Sequence, residues 1–451
     1  ADDLVLDALD GLTSLFDKSL LQHGEQTDGE PRFFLLHTIQ EYALEQLEVS
    51  GEAQATREAH ATFYVALAEE AEPQLAGTEQ VPWLARLDAD KDNLRAALAW
   101  SLTGGSREQG LRLASALWKF WWLRGYLSEG REWLAALLEH PDGVAPALRA
   151  KALRAAGTLA YYHNDLTVAE RCMEESLTLF REVGDKGRIG ATLRSLAVIW
   201  SDQGQHYEQA RRYAEESLAL ARELDEPTDL SYALENLGIL EYYLGEYAQA
   251  TTYLEEQLAL SRASGDPHTI ATSLHNLAEV ARATHHYVQA TRLHEESLTL
   301  FQAVESTWGV ALSLQAQGEL ALAQGDLPRA ARSLGEALHL FHELRDTQGI
   351  ILTLSGFAAL ALGEGLAERA ARLLGALATL METSGVALKP PDHTHYQQRL
   401  AAAQAELDEA LFAAAYTEGQ AMTVEQAIAF AVDEVAKPST DGDVKRTPEP
   451  A

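Results

Sequence analysis

"ALENLGILEYYLGEYAQATTYLEEQLALS", residues 233–261, is answered forty positions later by "SLHNLAEVARATHHYVQATRLHEESLTLF", residues 273–301. The same spacing gives "SLQAQGELALAQGDLPRAARSLGEALHLF" (313–341) and "TLSGFAALALGEGLAERAARLLGALATLM" (353–381). Two more units precede them, at 152–180 and 192–221, the second carrying one extra residue near His206. Inside every unit apolar residues recur at three- and four-residue spacing, which reads as helix, and strand-like alternation is nearly absent. Self-similarity at a fixed period of this length predicts a stack of repeated supersecondary units.

Two columns explain why each unit is a helical hairpin. One first-helix position is always tiny: Gly157, Ala197, Gly238, Ala278, Gly318 and Ala358. The facing second-helix position is always alanine: Ala169, Ala210, Ala250, Ala290, Ala330 and Ala370. Small side chains at both places let antiparallel helices approach closely. Tyr207, Tyr247 and Tyr287 at the turns fill the gaps between neighbouring hairpins. One hairpin cannot bury its own apolar face, so stability has to come from stacking.

This pattern resembles the tetratricopeptide repeat in its longer version, like that of kinesin light chains. The resemblance covers residues 147–386 and implies an all-α, right-handed superhelix (an α-solenoid) whose first helices line a concave groove. A degenerate unit, "GLRLASALWKFWWLRGYLSEGREWLAALL" (110–138), has Trp118 in the tiny column and Gly130 in the alanine column. That is a volume-conserving exchange. Its cluster Trp118, Phe120, Trp121 and Trp122 reads as core packing, with an aromatic ligand box as the alternative.

Composition narrows the function. The formal charge is 35 − 68 = −33, which disfavours duplex nucleic acid and anionic membranes as partners of this part. A single cysteine, Cys172, fits a reducing cytosol and reads as a small buried hydrophobe. No uninterrupted apolar run is long enough to span a bilayer and no signal peptide opens the chain, so a soluble, cytoplasmic, monomeric protein is expected. No phosphate-binding loop, nucleophile elbow or zinc-ligand pattern occurs, so no enzyme and no metal site are expected. The glutamate pairs of the "EES" ladder, at 174–175, 215–216, 255–256 and 295–296, read as a solvated face. Arg171, Arg212, Arg292 and Arg332 stand four residues before Glu175, Glu216, Glu296 and Glu336, spaced for intrahelical pairing.

In this repeat family certain first-helix positions face the groove. Here they supply Arg154 and Tyr162, then Arg194 and Ser195, then Tyr232, Glu235, Asn236 and Tyr242. His275, Asn276, Glu279, Arg282 and Gln315 follow, with Tyr243 and His163 at the rim, and the polar character fades in the sixth unit. Asn236 and Asn276 occupy the column where related repeats hold a peptide backbone, a task suited to an amide that both donates and accepts.

The start of the chain differs. Residues 4–21 read as a helix or two, and "QHGEQTDGEPRFFLL" (22–36) as a hairpin turning at Asp28–Gly29, followed by a helix from Thr38. This order suggests the last part of a winged-helix domain. "LDGLTSLFDKSLL" (9–21), "FFLLHTIQEYALEQLEVSGE" (33–52) and "DKDNLRAALAWSL" (90–102) are similar to stretches of STAND-type signalling ATPases, the bacterial regulators built on an NB-ARC core. The resemblance implies a longer protein with an N-terminal nucleotide-binding domain using ATP or ADP with Mg. It also implies that His37, in Leu36-His37-Thr38, stands where the family's Met-His-Asp histidine touches the β-phosphate; methionine and aspartate are not matched, and Thr38 is carried over as a helix N-cap.

The expected layout is therefore 1–52 winged-helix remnant, 53–146 helical linker with the degenerate repeat, 147–386 six repeats, 387–436 helical cap and 437–451 disordered tail. The expected function is recognition of a peptide or protein segment in the groove, controlling nucleotide-dependent activation and oligomerisation of the complete regulator. A small-molecule (sugar) sensor and a constitutive assembly scaffold are the alternatives.

Overall fold

The computed structural model describes residues 11–25, 31–75, 79–139, 143–204 and 206–433. Residues 4–10, the Asp28–Gly29 turn and the 437–451 tail lie outside the described residues, as does the side chain of His37. Two compact units emerge, 1–185 and 186–451, so the division falls inside the expected 147–386 array, after its first hairpin.

In the first unit, residues 11–17 are helical (α1), and strands β1 (Leu21–Glu25) and β2 (Pro31–Leu35) pair antiparallel with Leu21 opposite Leu35. Helices α2 (His37–Ser50), α3 (Ala53–Gln74), α4 (Gln80–Ala89) and α5 (Lys91–Thr103) follow. Then come α6 (Arg107–Arg124), α7 (Leu127–Leu138), α8 (Pro146–Tyr162) and α9 (Leu166–Val183). Helix α2 starts one residue earlier than expected: Leu36 takes the N-cap place with no side-chain cap bond, so Thr38 is a helical residue and not the cap. Phe120 and Trp121 are buried, Trp118 stacks on Trp122, and Trp122 stacks on Tyr162 at 4.7 Å. The aromatic cluster is core. Gly130 is present because Trp121, and not Trp118, lies over it, 2.5 Å from where a Cβ would stand.

The second unit opens with α10 (Lys186–Gln203), α11 (Tyr207–Leu224), α12 (Pro227–Leu244), α13 (Tyr247–Ser264) and α14 (Pro267–Ala283). It continues through α15 (Tyr287–Ala303), α16 (Thr307–Gln324), α17 (Leu327–Leu344), α18 (Thr347–Gly363) and α19 (Ala367–Ser384). Each first helix packs on its own second helix and on the next hairpin. Helices α20 (Pro390–Glu406), α21 (Glu409–Gln420) and α22 (Val424–Val432) complete it. No helix among the described residues is long and apolar enough to cross a membrane.

Local chemistry sets these boundaries. Asp266, Asp326 and Asp346 cap α14, α17 and α18 by accepting from the backbone N–H of Thr269, Arg329 and Gly349. Gly245 closes α12 at φ 80°, a left-handed conformation costly for other residues. The tiny column obeys a rule beyond the facing alanine. A Cβ on Gly238 would stand 2.5 Å from Leu254, and one on Gly318 2.7 Å from Leu334, four residues past Ala250 and Ala330. The serine of "EES" is also structural. Buried Ser176, Ser217 and Ser297 donate to the carbonyls of Ala150, Gly190 and Ala271 at 2.8, 2.9 and 2.8 Å, tying each second helix to its first.

Two of the ladder's glutamates, Glu175 and Glu296, have partners other than the arginine four residues before them. Arg222 pairs with Glu256 at 2.8 Å and Arg262 with Glu296 at 3.2 Å, each from one hairpin to the next, while Glu175 pairs with Arg149 of α8. In the Arg222 and Arg262 pairs the last-turn arginine of one second helix reaches a glutamate of the next second helix.

Candidate functional site

The first helices of the second unit present one shared face, and the structure encloses on it a cavity of about 160 Å³. Tyr242 and Tyr243 of α12, His275, Asn276, Glu279 and Arg282 of α14, and Gln315 of α16 all line it. Glu319, Leu352 and Ser355 add to the wall. The far side is α20, which contributes Asp392, His395 and Arg399. The expected free groove is thus partly filled by the chain's own C-terminal segment. α20 does not simply cap the last repeat; it runs along the first-helix face from α10 to α18.

Charge density in the cavity is high. Arg282 donates to Glu279 at 2.7 Å, and Arg399 donates to Glu319 at 2.7 Å and to Ser355 Oγ at 2.6 Å. Lys389, just before α20, holds Asp202 at the end of α10. Burial opposes the charge on Glu279, but the adjoining Arg282 outweighs it, and the carboxyl sits well below the usual range. His294 Nε2 lies 3.3 Å from Glu279 Oε1. His275 is 8% exposed, its Nδ1 is buried without a hydrogen-bond partner in the protein, and burial followed by the nearby His294 pushes it down to about 4. Asp392 moves the other way, up to about 6, through burial and then the carboxylates of Glu279 and Glu319. Burial raises Tyr242 and lowers His395. The arrangement can select charge and hydrogen-bonding groups.

Other expected groove residues stand elsewhere. Arg194 reaches Asp229 at 3.0 Å and lies over the Tyr232 ring, so both are engaged outside the cavity. Glu235 accepts from Asn276 Nδ2 at 3.4 Å, and burial raises its pKa against that bond. One Nδ2 hydrogen of Asn276 is thus engaged within the protein, while the residue still lines the cavity. Asn236 faces a second hollow of about 190 Å³ with Ser201, Asp202 and Tyr243, its Nδ2 buried without a partner in the protein. Arg154 and Tyr162 belong to α8 of the first unit, where Tyr162 packs on Trp122. That unit has an open cleft of about 700 Å³ lined by Arg131, Arg149, Arg171, His163 and Cys172, and burial raises the Cys172 thiol. Arg131 and Arg149 there are held by Asp165 and Glu175.

Sequence reasoning missed Asp202, Glu319, Lys389, Asp392, His395 and Arg399. The signal was in α20: Asp392, Tyr396, Arg399 and Ala403 fall on one helical face, and Tyr396 and Ala403 are buried.

The tetratricopeptide-repeat family matches residues 229–303, across the third and fourth hairpins. These are tetratricopeptide repeats. A description for anaphase-promoting complex subunit 5 matches residues 188–237. Among curated relatives, proteins of Mycobacterium tuberculosis (strain H37Rv) and Mycobacterium bovis, each named "Putative HTH-type transcriptional regulator", are 35% identical over 239 residues, 51% of this chain. The chain spans only 26% of their length. A solved Rap protein complexed with competence and sporulation factor covers 79% of this chain and 98% of its own at 12% identity, with a TM-score of 0.50, which is a likeness of fold. A STAND protein with a tetratricopeptide-repeat sensor from Pyrococcus horikoshii covers 79% of this chain and 55% of its own at 16% identity and a TM-score of 0.47. The tetratricopeptide array is an α-solenoid, and its first helices form the wall of the cavity.

Proposed function

We propose that this chain is the signal-sensing, peptide- or protein-binding part of a STAND-type transcriptional regulator. Ligand on the first-helix face sets the nucleotide state of an N-terminal ATPase domain, and with it oligomerisation. One observation carries the reading: a charge-lined cavity on the face formed by successive repeats, in which the buried His275 Nδ1 is left without a partner in the protein, as is Asn236 Nδ2 in the second hollow that shares Tyr243. Buried polar groups are normally satisfied, so these favour a polar ligand. The mycobacterial relatives named as transcriptional regulators support the output, and the sequence resemblance to STAND ATPases supports the switch. In the complete protein, ATP or ADP with Mg would be held by the N-terminal domain, and His37, at the first residue of α2 just after β2, is the proposed contact to the β-phosphate.

A second reading, a small-molecule sensor, is favoured by size. The cavity of about 160 Å³ falls below the common span of drug-sized sites, roughly 300–1,000 Å³, and suits a compact polar ligand while α20 is in place. A peptide array followed by affinity measurement separates the two. Asn236→Ala with Asn276→Ala is expected to weaken a peptide ligand at least tenfold while the thermal midpoint moves little. Unchanged affinity removes the groove assignment.

A further inference from the structure

We propose that α20 is the resting occupant of this groove, and that the ligand replacing it is a peptide with two basic side chains about 15 Å apart. The inference rests on the first-helix face being the binding face argued above.

The anchors of α20 on that face are ionic. Lys389 sits on Asp202, 187 residues away, and Arg399 on Glu319, 80 residues away. Ten residues separate the two cations, which at about 1.5 Å per helical residue is roughly 15 Å. The second pair is well shielded, with Arg399 and Glu319 each 12% exposed, so its charges count for more than a surface pair. Asp202 and Glu319 are therefore two fixed acidic receptors at the ends of a track.

Between the anchors the fit is poor. Arg282 is already committed to Glu279 and Arg399 to Glu319, and Asp392 brings a third carboxylate to two guanidinium groups. The cavity of about 160 Å³ lies beneath these first turns of α20. Only Tyr396 and Ala403 on the same face are buried apolar anchors. A helix laid in a groove by its i, i+3, i+4 and i+7 side chains is a known mode of peptide recognition. Here the laid-in helix is internal, is held at both ends and brings a surplus carboxylate, Asp392, to the middle. A peptide that keeps both cations and omits the central acid would match the track better. The net charge of −33 adds attraction for such a ligand.

The test needs no external signal, so its failure leaves the sensor reading standing. The probe is a fluorescein-labelled synthetic peptide of residues 387–406, followed by anisotropy at low salt against the whole chain. Because a tethered segment acts at an effective concentration in the millimolar range, wild type should bind it at least tenfold more weakly than Lys389→Ala with Arg399→Ala. Adding Asp202→Asn and Glu319→Gln to that variant should reduce affinity at least tenfold again. A peptide with glutamine at 389 and 399 should not bind. A variant that is folded by circular dichroism yet ignores the probe, or takes both peptides equally, overturns the proposal. Hydrogen exchange on wild type is the second measurement: α20 amides exchanging at least tenfold faster than those of α18 support it, and equal rates overturn it.

Discussion

Asp392 pays for its place among carboxylates. It faces Glu279 and Arg282 on α14, Glu319 on α16, and His395 and Arg399 on its own helix. Its folded pKa of about 6 lies above the ordinary 3.8, so the fold prefers the neutral acid. The penalty is absent below the unfolded pKa, grows as pH rises between the two values, and is complete above about 6. Asp392→Asn should thus stabilise the chain at pH 7.5 by an amount of order 2 kcal/mol, and by much less at pH 4.5. His275 and His395 work against stability as pH falls, since their folded pKa values are depressed, but they do so in both chains. Urea midpoints of the two proteins at both pH values check this, and a gap that does not vary with pH contradicts it. At this scale the sequence was informative on one side only. The repeat period brings Tyr242, His275, Glu279, Arg282 and Gln315 to one face, whereas Asp392 and Arg399 lie outside the period and reach that face by tertiary folding.

Helix contacts are where the small residues act. α19 and α21 cross so closely that a Cβ on Gly419 would stand 1.9 Å from the Arg372 carbonyl, and one on Gly375 2.1 Å from that of Tyr416. Backbone cannot step aside as a leucine tip can. Gly419→Ala is therefore expected to cost about 3 kcal/mol or more and to loosen α21, against roughly 1–3 kcal/mol for Gly238→Ala, where Leu254 can adjust. Gly335, in the interior of α17, has nothing within 4 Å of its Cβ direction, so Gly335→Ala should stabilise by up to about 1 kcal/mol through helix propensity. Chemical unfolding of the three variants gives the order directly, and equal losses would refute the packing account. The hairpins and their tiny columns were legible because each repeat restates them. The partner of Gly130 was read three residues off, as Trp118 instead of Trp121, because a degenerate unit has no second copy to fix its register. The serine bonds went unread because "EES" advertises charge while its function in the fold is one hydroxyl on a carbonyl.

In a linear repeat array each unit touches only its neighbours, so ends can melt without the middle. The second unit departs from that rule. α20 joins Asp202 of α10 to Glu319 of α16 and Ser355 of α18, closing contacts between residues as far as 187 positions apart. Such closure makes the loss of one end felt at the other, so the unit should unfold cooperatively. In native-state hydrogen exchange under increasing denaturant, α10–α11 and α18–α19 of wild type are expected to open with one free energy and one denaturant dependence. Removing the tie with Lys389→Ala should uncouple them: α10–α11 opens first, with a smaller dependence because less surface is exposed, and α18–α19 keeps most of its protection through α19, α21 and α22. If both pairs still open together in the variant, stacking alone carries the cooperativity and the α20 tie is incidental. If they open separately already in wild type, the tie is too weak to couple the repeats, and a ligand that displaced α20 could not alter the far hairpins through it.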